Sequence, residues 1–261
     1  MDPLLFQIII PFFLSAIVVV LVMFIAEKFG SKVGGILGTL PSTIVVAFVF
    51  IGLSDGTQFA SEAASVVPAE LGINVIFLFV FALLVHRSTA LAFGVTFLIW
   101  TILSSLLVIF HINSIVISIL IYLVCVIGAF FYLEKKQKIH SRPKVAIHYT
   151  AKKIILRGIL AGIVIAIAVV LSNVGTIISG IFSVFPAILS STMLISVREH
   201  GPDFAAGMAK SMMLGLASVA TYATLINLLY PIYGIFYGSL IAYGVSFCVT
   251  FSIFIIRNKM I

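Results

Sequence analysis

Long apolar runs separated by short polar connections set the pattern of this chain. Nine runs can be marked off, at about 4–27, 33–53, 62–85, 89–110, 113–133, 154–172, 175–197, 204–229 and 232–256. Each is near or above the ~20 residues that carry a helix across a ~30 Å hydrocarbon core. The runs are far longer than the short alternating segments of a transmembrane barrel. The pattern predicts an all-α integral membrane protein with nine transmembrane helices. The first run is read as a span and not a cleavable signal: Asp2 stands where a basic n-region belongs, and the run is long enough to cross.

The pattern also repeats. Gly30, Gly35, Ile36, Pro41, Gly56, Phe59 and Ala60 return 145 residues later as Gly175, Gly180, Ile181, Pro186, Gly201, Phe204 and Ala205. Ala92-Phe93-Gly94-Val95-Thr96-Phe97 returns as Ala242-Tyr243-Gly244-Val245-Ser246-Phe247 after a five-residue slip. Segments 1–4 therefore match segments 6–9, and segment 5 is left over. One odd helix between two copies makes the second copy enter from the opposite face. The expected plan is 4+1+4, two inverted four-helix repeats about a pseudo-two-fold axis in the membrane plane. Repeat unit 1 covers residues 1–111, the linker helix and its basic loop 112–153, and repeat unit 2 residues 154–261. Fused fluoride channels share the four-one-four plan, but their polar pore signature is not evident here.

Composition agrees with the pattern. Hydrophobic residues are 62% of the chain and charged residues 9%, against about 45–50% and roughly 25% in soluble domains. The net charge of +7 is unevenly spread. Placing the connections alternately on two sides puts fourteen of the fifteen basic residues on one side and none on the other. The positive-inside bias makes the first side cytoplasmic, with the N-terminus outside and the C-terminus inside, in a cell (plasma or inner) membrane. Eight basic residues fall between Lys135 and Arg157. They read as an orientation signal that also suits anionic lipid, not nucleic acid. Cys125 and Cys248 lie inside apolar segments, far apart, as packing residues.

Gly180-Ile181-Phe182-Ser183-Val184-Phe185-Pro186-Ala187 resembles the Gly-x-x-x-x-Phe-Pro stretch of the GlpM family of small bacterial inner-membrane proteins. Gly35-Ile36-Leu37-Gly38-Thr39-Leu40-Pro41-Ser42 is a looser version with Leu40 in the Phe position. The resemblance implies a single-unit relative of this architecture. It carries over no catalytic residue and no substrate.

The chemistry is expected where the repeats are interrupted. Pro41 lies ~16 Å into segment 2, near the bilayer middle, and Pro186 is its equivalent in segment 7. Proline removes a donor and clashes with the preceding turn. Paired interruptions of this kind point to a transporter site, with freed carbonyls suiting a cation and half-helix N-termini an anion. Ser42 and Thr43 follow the first break; Ser190, Ser191 and Thr192 follow the second. A simpler reading is a proline kink with small residues for close packing. Segment 3 carries Glu62, Glu70 and Asn74. Glu70 lies ~16 Å deep if the segment enters near Phe59. A charge at that depth costs at least ~2.5–3.5 kcal/mol, so Glu70 is a candidate for proton or cation coupling, with Asn74 on its face. The alternative is a carboxyl that only docks helices. Lys210 is the one basic residue outside the cytoplasmic connections. It can snorkel, pair with Glu70 or Glu62, or meet an anionic substrate. Glu199-His200-Gly201-Pro202-Asp203 fits a capping turn, with Asp203 as N-cap, better than a metal site.

No acidic pair at metal–diphosphate spacing, no His-Glu-x-x-His, no nucleophile elbow and no phosphate-binding Gly-Lys loop occurs. The sequence is read as no enzyme and no metal or cofactor protein. It is read as a secondary transporter of a small solute or ion, monomeric or homodimeric, in contact with membrane lipids. Glu62, Lys210 and Asp203 are assigned to coupling or gating. Two alternatives are a channel of the same fold and a non-transport scaffold or lipid-handling protein.

Overall fold

The computed structural model describes residues 5–28, 41–137, 139 and 150–259. Their ordered elements are all helical. A short π-helical turn, Leu5–Ile9, leads into α1 (Ile10–Lys28). Then come α2 (Ser42–Asp55), α3 (Thr57–Leu84), α4 (Thr89–Ile109) and α5 (Ile115–Phe131), the last extended by a π turn over Tyr132–Lys136. The second half has α6 (Ala151–Val170), α7 (Thr176–Ser183) and α8 (Ala187–His200). Helix then runs over Pro202–Lys259, where Gly234 (φ 71°, ψ −178°) separates α9 before it from α10 after it. Among the described residues, six helices are long and apolar enough to cross a membrane. The first half of segment 2, with Gly30, Gly34, Gly35 and Gly38, lies outside the described residues, as does loop 140–149.

Apolar and polar positions are distributed as lipid solvent requires. Leu98, Ile102 and Ile109 on α4, Val116, Leu120 and Val124 on α5, and Ile232, Phe236 and Leu240 at and beyond the α9 end point outward. Glu70, Asn74, Thr96, Ser104 and Ser118 are buried. An exterior of exposed apolar side chains over a core that also buries polar ones is the arrangement of a membrane-embedded protein.

Residues 41–56 and 186–201 take matching backbone conformations. Pro41 and Pro186 share one non-helical conformation, φ −76° ψ 48° and φ −75° ψ 33°. Each starts a 14-residue helix, and each helix ends on a glycine with positive φ, Gly56 at 91° and Gly201 at 83°. With ψ of 164° and 175°, both glycines occupy a region that side chains cannot enter without strain. A Cβ would meet nothing within 4 Å at either site, so the strain is purely backbone. Gly56→Ala and Gly201→Ala are each expected to destabilise by about 1–3 kcal/mol, and by similar amounts. Denaturant titration in detergent measures this; an effect at one site alone breaks the equivalence.

Helix α3 is the hub. It packs against α9, α5, α4 and α7, and α1 packs against α6. Two contacts set the direction of α3 against α9. Ser61 near the start of α3 meets Asn227 near the end of α9, and His86 just past α3 faces Asp203 at the start of α9, 3.6 Å away. These two helices are antiparallel. The expected turn at Tyr230–Pro231 sits later, at Gly234, and helix continues through Pro231. Pro231 cannot donate to the Asn227 carbonyl four residues back. The Ser61 hydroxyl donates to that oxygen instead, at 2.7 Å, while Asn227 Nδ2 donates to Ser61 O at 2.8 Å. Gly234, with no Cβ, takes the reversal.

Candidate functional site at the helix break

The site forms where segment 7 comes apart. Helix α7 stops at Ser183, and Val184, Phe185 and Pro186 are not α-helical before α8 begins at Ala187. A break inside a bilayer leaves backbone groups that something must satisfy. The Asn74 side chain of α3 does so, donating from Nδ2 to the Val184 carbonyl at 2.8 Å. Phe182 O accepts from Phe185 N at 3.2 Å and Phe185 O from Ala187 N at 2.8 Å. Close approach of α7 to α3 makes the Asn74 bond geometrically available. Gly180 lies against Ala63 and Val66, where any side chain would collide.

One turn before Asn74, the Glu70 carboxyl is fully buried. Ser104 of α4 donates to its Oε1 at 3.0 Å. The Trp100 indole also interacts with this carboxyl, yet Trp100 Nε1 and Glu70 Oε2 both remain without a hydrogen bond. Asn74 Oδ1 is likewise buried and unpartnered. Trp100 packs edge-on against Phe185 (5.0 Å) and Phe182 (6.4 Å), and Phe185 stacks on Phe97 at 6.2 Å. The result is a carboxyl and an amide facing a broken helix, closed in by aromatic rings.

The other expected residues divide. Pro41 is buried, and Ser42 and Thr43 are half-buried at the start of α2. Among the described residues, no hydrogen bond joins Ser42 or Thr43 to Glu70, Asn74 or the Pro186 break. The hydroxyls of Ser190, Ser191 and Thr192 are turned back onto α8, bonding Pro186 O, Ile188 O and Ile188 O. Thr192 also accepts from Arg157, which is buried in α6 instead of lying in the basic connection. Glu62 is exposed near the start of α3 and takes a bond from Gln58 at 3.1 Å.

Lys210 pairs with neither Glu70 nor Glu62. It is buried, forms an ion pair with Glu134 at the end of α5, and donates to Ile139 O at 2.6 Å. Its ammonium also lies 5.2 Å from the Phe130 ring centre. It ties the end of the linker helix to α9. Asp203 is not an N-cap: the helix begins at Pro202, directly after Gly201, because proline readily fills the first helical position. Asp203 sits in the first turn, 63% exposed and facing His86. Among the described residues, no group of three His, Cys, Asp or Glu side chains converges as a metal site would require.

Trp100, Ser104 and Glu134 were not singled out by the sequence pattern, and Phe182, Phe185 and Arg157 appeared in it without a role at the site. A signal existed for the first two. Trp100 is the only tryptophan in the chain, mid-segment, and Ser104 follows one helical turn later.

Residues 8–115 match the model of a family described as Protein of unknown function (DUF3147). The matched stretch ends close to the expected boundary of unit 1, at the first residue of α5, and leaves the rest of α5 and α6–α10 outside it. No curated protein and no solved structure matches the chain. None of these findings ties it to the GlpM family.

Proposed function

We propose that this chain is a secondary transporter of a small solute or ion, with its site at the break around Pro186 and with Glu70 as the coupling carboxyl. The observation that carries this reading is the juxtaposition of a broken helix with a buried, half-satisfied carboxyl. Intramembrane carboxyls are expensive, and they are kept where a proton or cation must be handled. Glu70 is held closely on one oxygen only, Oε1 by Ser104, while Oε2 has the Trp100 indole beside it without a close hydrogen bond.

The membrane plan belongs to the same proposal. Nine crossings in a 4+1+4 arrangement, N-terminus outside and C-terminus cytoplasmic, account for the basic-residue sorting. The antiparallel α3 and α9 and the matching backbone at Pro41 and Pro186 support inverted units that rock about a midplane site. Asp203 with His86, and Lys210 with Glu134, then lie at the cytoplasmic ends, suited to gating. Single cysteines at Asp55 and His200 should label from opposite faces of sealed cells. Labelling from the same face would end the inverted plan.

Reconstitution tests transport itself. Wild-type protein in proteoliposomes should carry a saturable flux driven by a pH gradient, and Glu70→Gln should lose it. A panel of ions, amino acids and organic acids that elicits no wild-type flux would leave packing as the role of the break.

A further inference from the structure

The polar atoms left over around the break narrow the choice of solute, given that the break is a transport site at all. A dehydrated alkali cation needs a shell of oxygens in place of its water. The carbonyls at the break already carry donors: Phe182 O, Val184 O, Phe185 O and Pro186 O accept from Phe185 N, Asn74 Nδ2, Ala187 N and Ser190, which leaves them weaker ligands for a bare metal ion. The hydroxyls of Ser190, Ser191 and Thr192 give their protons to α8. An anion fares worse: Glu70 repels it, and Lys210 is held by Glu134 and Ile139 O.

Two buried side-chain acceptors make no close hydrogen bond, Glu70 Oε2, which has the Trp100 indole N–H as its neighbouring donor, and Asn74 Oδ1. They lie four residues apart on one helix, hence on one face. Beside them is Trp100, which reaches the carboxyl and packs against Phe182 and Phe185. Two acceptors next to aromatic rings call for a ligand with several N–H donors, a single positive charge and tolerance of an apolar wall. An ammonium head has three or more donors and is attracted by ring faces, whereas a strongly hydrated metal ion gains little from them.

We infer that the Glu70–Asn74–Trp100 site binds a small protonated amine, ammonium or a primary alkylammonium. One N–H goes to Glu70 Oε2 and a second to Asn74 Oδ1. The remaining N–H or the alkyl group rests on the Trp100 and Phe185 rings. Ser104 keeps Oε1 in place, and the Asn74 amide N–H stays on Val184 O, so ligand and broken helix share one side chain.

The molecule carries its own probe, since Trp100 is its only tryptophan. Purified protein in nanodiscs is titrated by replacing KCl with methylammonium chloride at constant ionic strength, and tryptophan emission is recorded. The expected result is a saturable change, absent when NaCl replaces KCl. Glu70→Gln should raise the midpoint at least tenfold. If Glu70→Gln fails to fold, Asn74→Ala retains the carboxyl and should raise the midpoint at least fivefold. A flat wild-type response, an equal response to NaCl, or an unchanged midpoint in the folded variant overturns the inference. A flat response alongside Glu70-dependent proton flux in proteoliposomes removes the amine and leaves the transport proposal standing. A saturable, Glu70-dependent response without methylammonium flux keeps the site and removes transport.

Discussion

Glu70→Gln is expected to lower pH-gradient-driven flux by about a hundredfold while leaving the unfolding midpoint nearly unchanged. The two halves of this expectation come from the same geometry. Glutamine has the shape of glutamate and an oxygen for Ser104 Oγ, which now donates to Oε1 at 3.0 Å. The contact between α3 and α4 survives, so stability should move by less than ~1 kcal/mol. The substitution removes the ability to lose or regain a proton and the charge that holds a cation. A hydrogen bond to a charged group is worth about 1.5–3 kcal/mol, and each 1.4 kcal/mol is tenfold, so the hundredfold figure is the upper end of this range, reached because proton exchange is lost as well. A docking carboxyl predicts instead that flux and its pH dependence stay intact, because Gln keeps the Ser104 contact that does the docking. Flux and melting are measured on the same reconstituted preparation. Unchanged flux in a folded Glu70→Gln protein would remove Glu70 from the coupling role.

Why Glu70 and Asn74 could be found from sequence, and their partners could not, follows from what a sequence records. A carboxyl ~16 Å into an apolar run stands out because lipid penalises it. An asparagine one turn away is placed by helical periodicity alone. The partners of both are long-range. Ser104 reaches Glu70 from thirty-four residues away and Val184 reaches Asn74 from one hundred and ten, through helix packing that no local pattern encodes. Serines in apolar helices mostly bond their own backbone, as Ser105, Ser190 and Ser252 do, so Ser104 has no local mark. The Pro186 break was legible because proline has a local effect. That its carbonyls are satisfied was not, because Asn74 arrives from another helix. Lys210 shows the same limit: its depth is a sequence property, but its partner Glu134 is on a helix brought alongside by the fold. Asp203 misled through a local rule, since Pro202 already begins the helix.

Gly180→Val is expected to disrupt the site more than any substitution that leaves its polar groups in place. Gly180 sits one turn before the break, and an added Cβ would run into the carbonyl oxygen of Ala63 and come within 2.6 Å of Val66 Cγ1. The far end of a flexible side chain can move aside; a carbonyl inside α3 cannot, because the helix that carries it also packs on α4, α5 and α9. Helix α7 must therefore back away. That withdraws Val184 O from Asn74, which costs a buried hydrogen bond and leaves an amide and a carbonyl unpaired in lipid. Overpacking alone reaches about 3 kcal/mol, and the lost bond adds ~1–3 kcal/mol. Gly94→Val is the control: it is also mid-helix, but a Cβ there meets nothing within 4 Å, so stability should stay within about 0.5 kcal/mol. Unfolding midpoints measure the first effect, and the emission of Trp100, which packs on Phe182 at the end of α7 and on Phe185 within the break, measures the second. A Gly180→Val protein as stable as Gly94→Val, with unshifted emission, would mean that α7 is not held against α3, and the arrangement of the site around Asn74 would go with it.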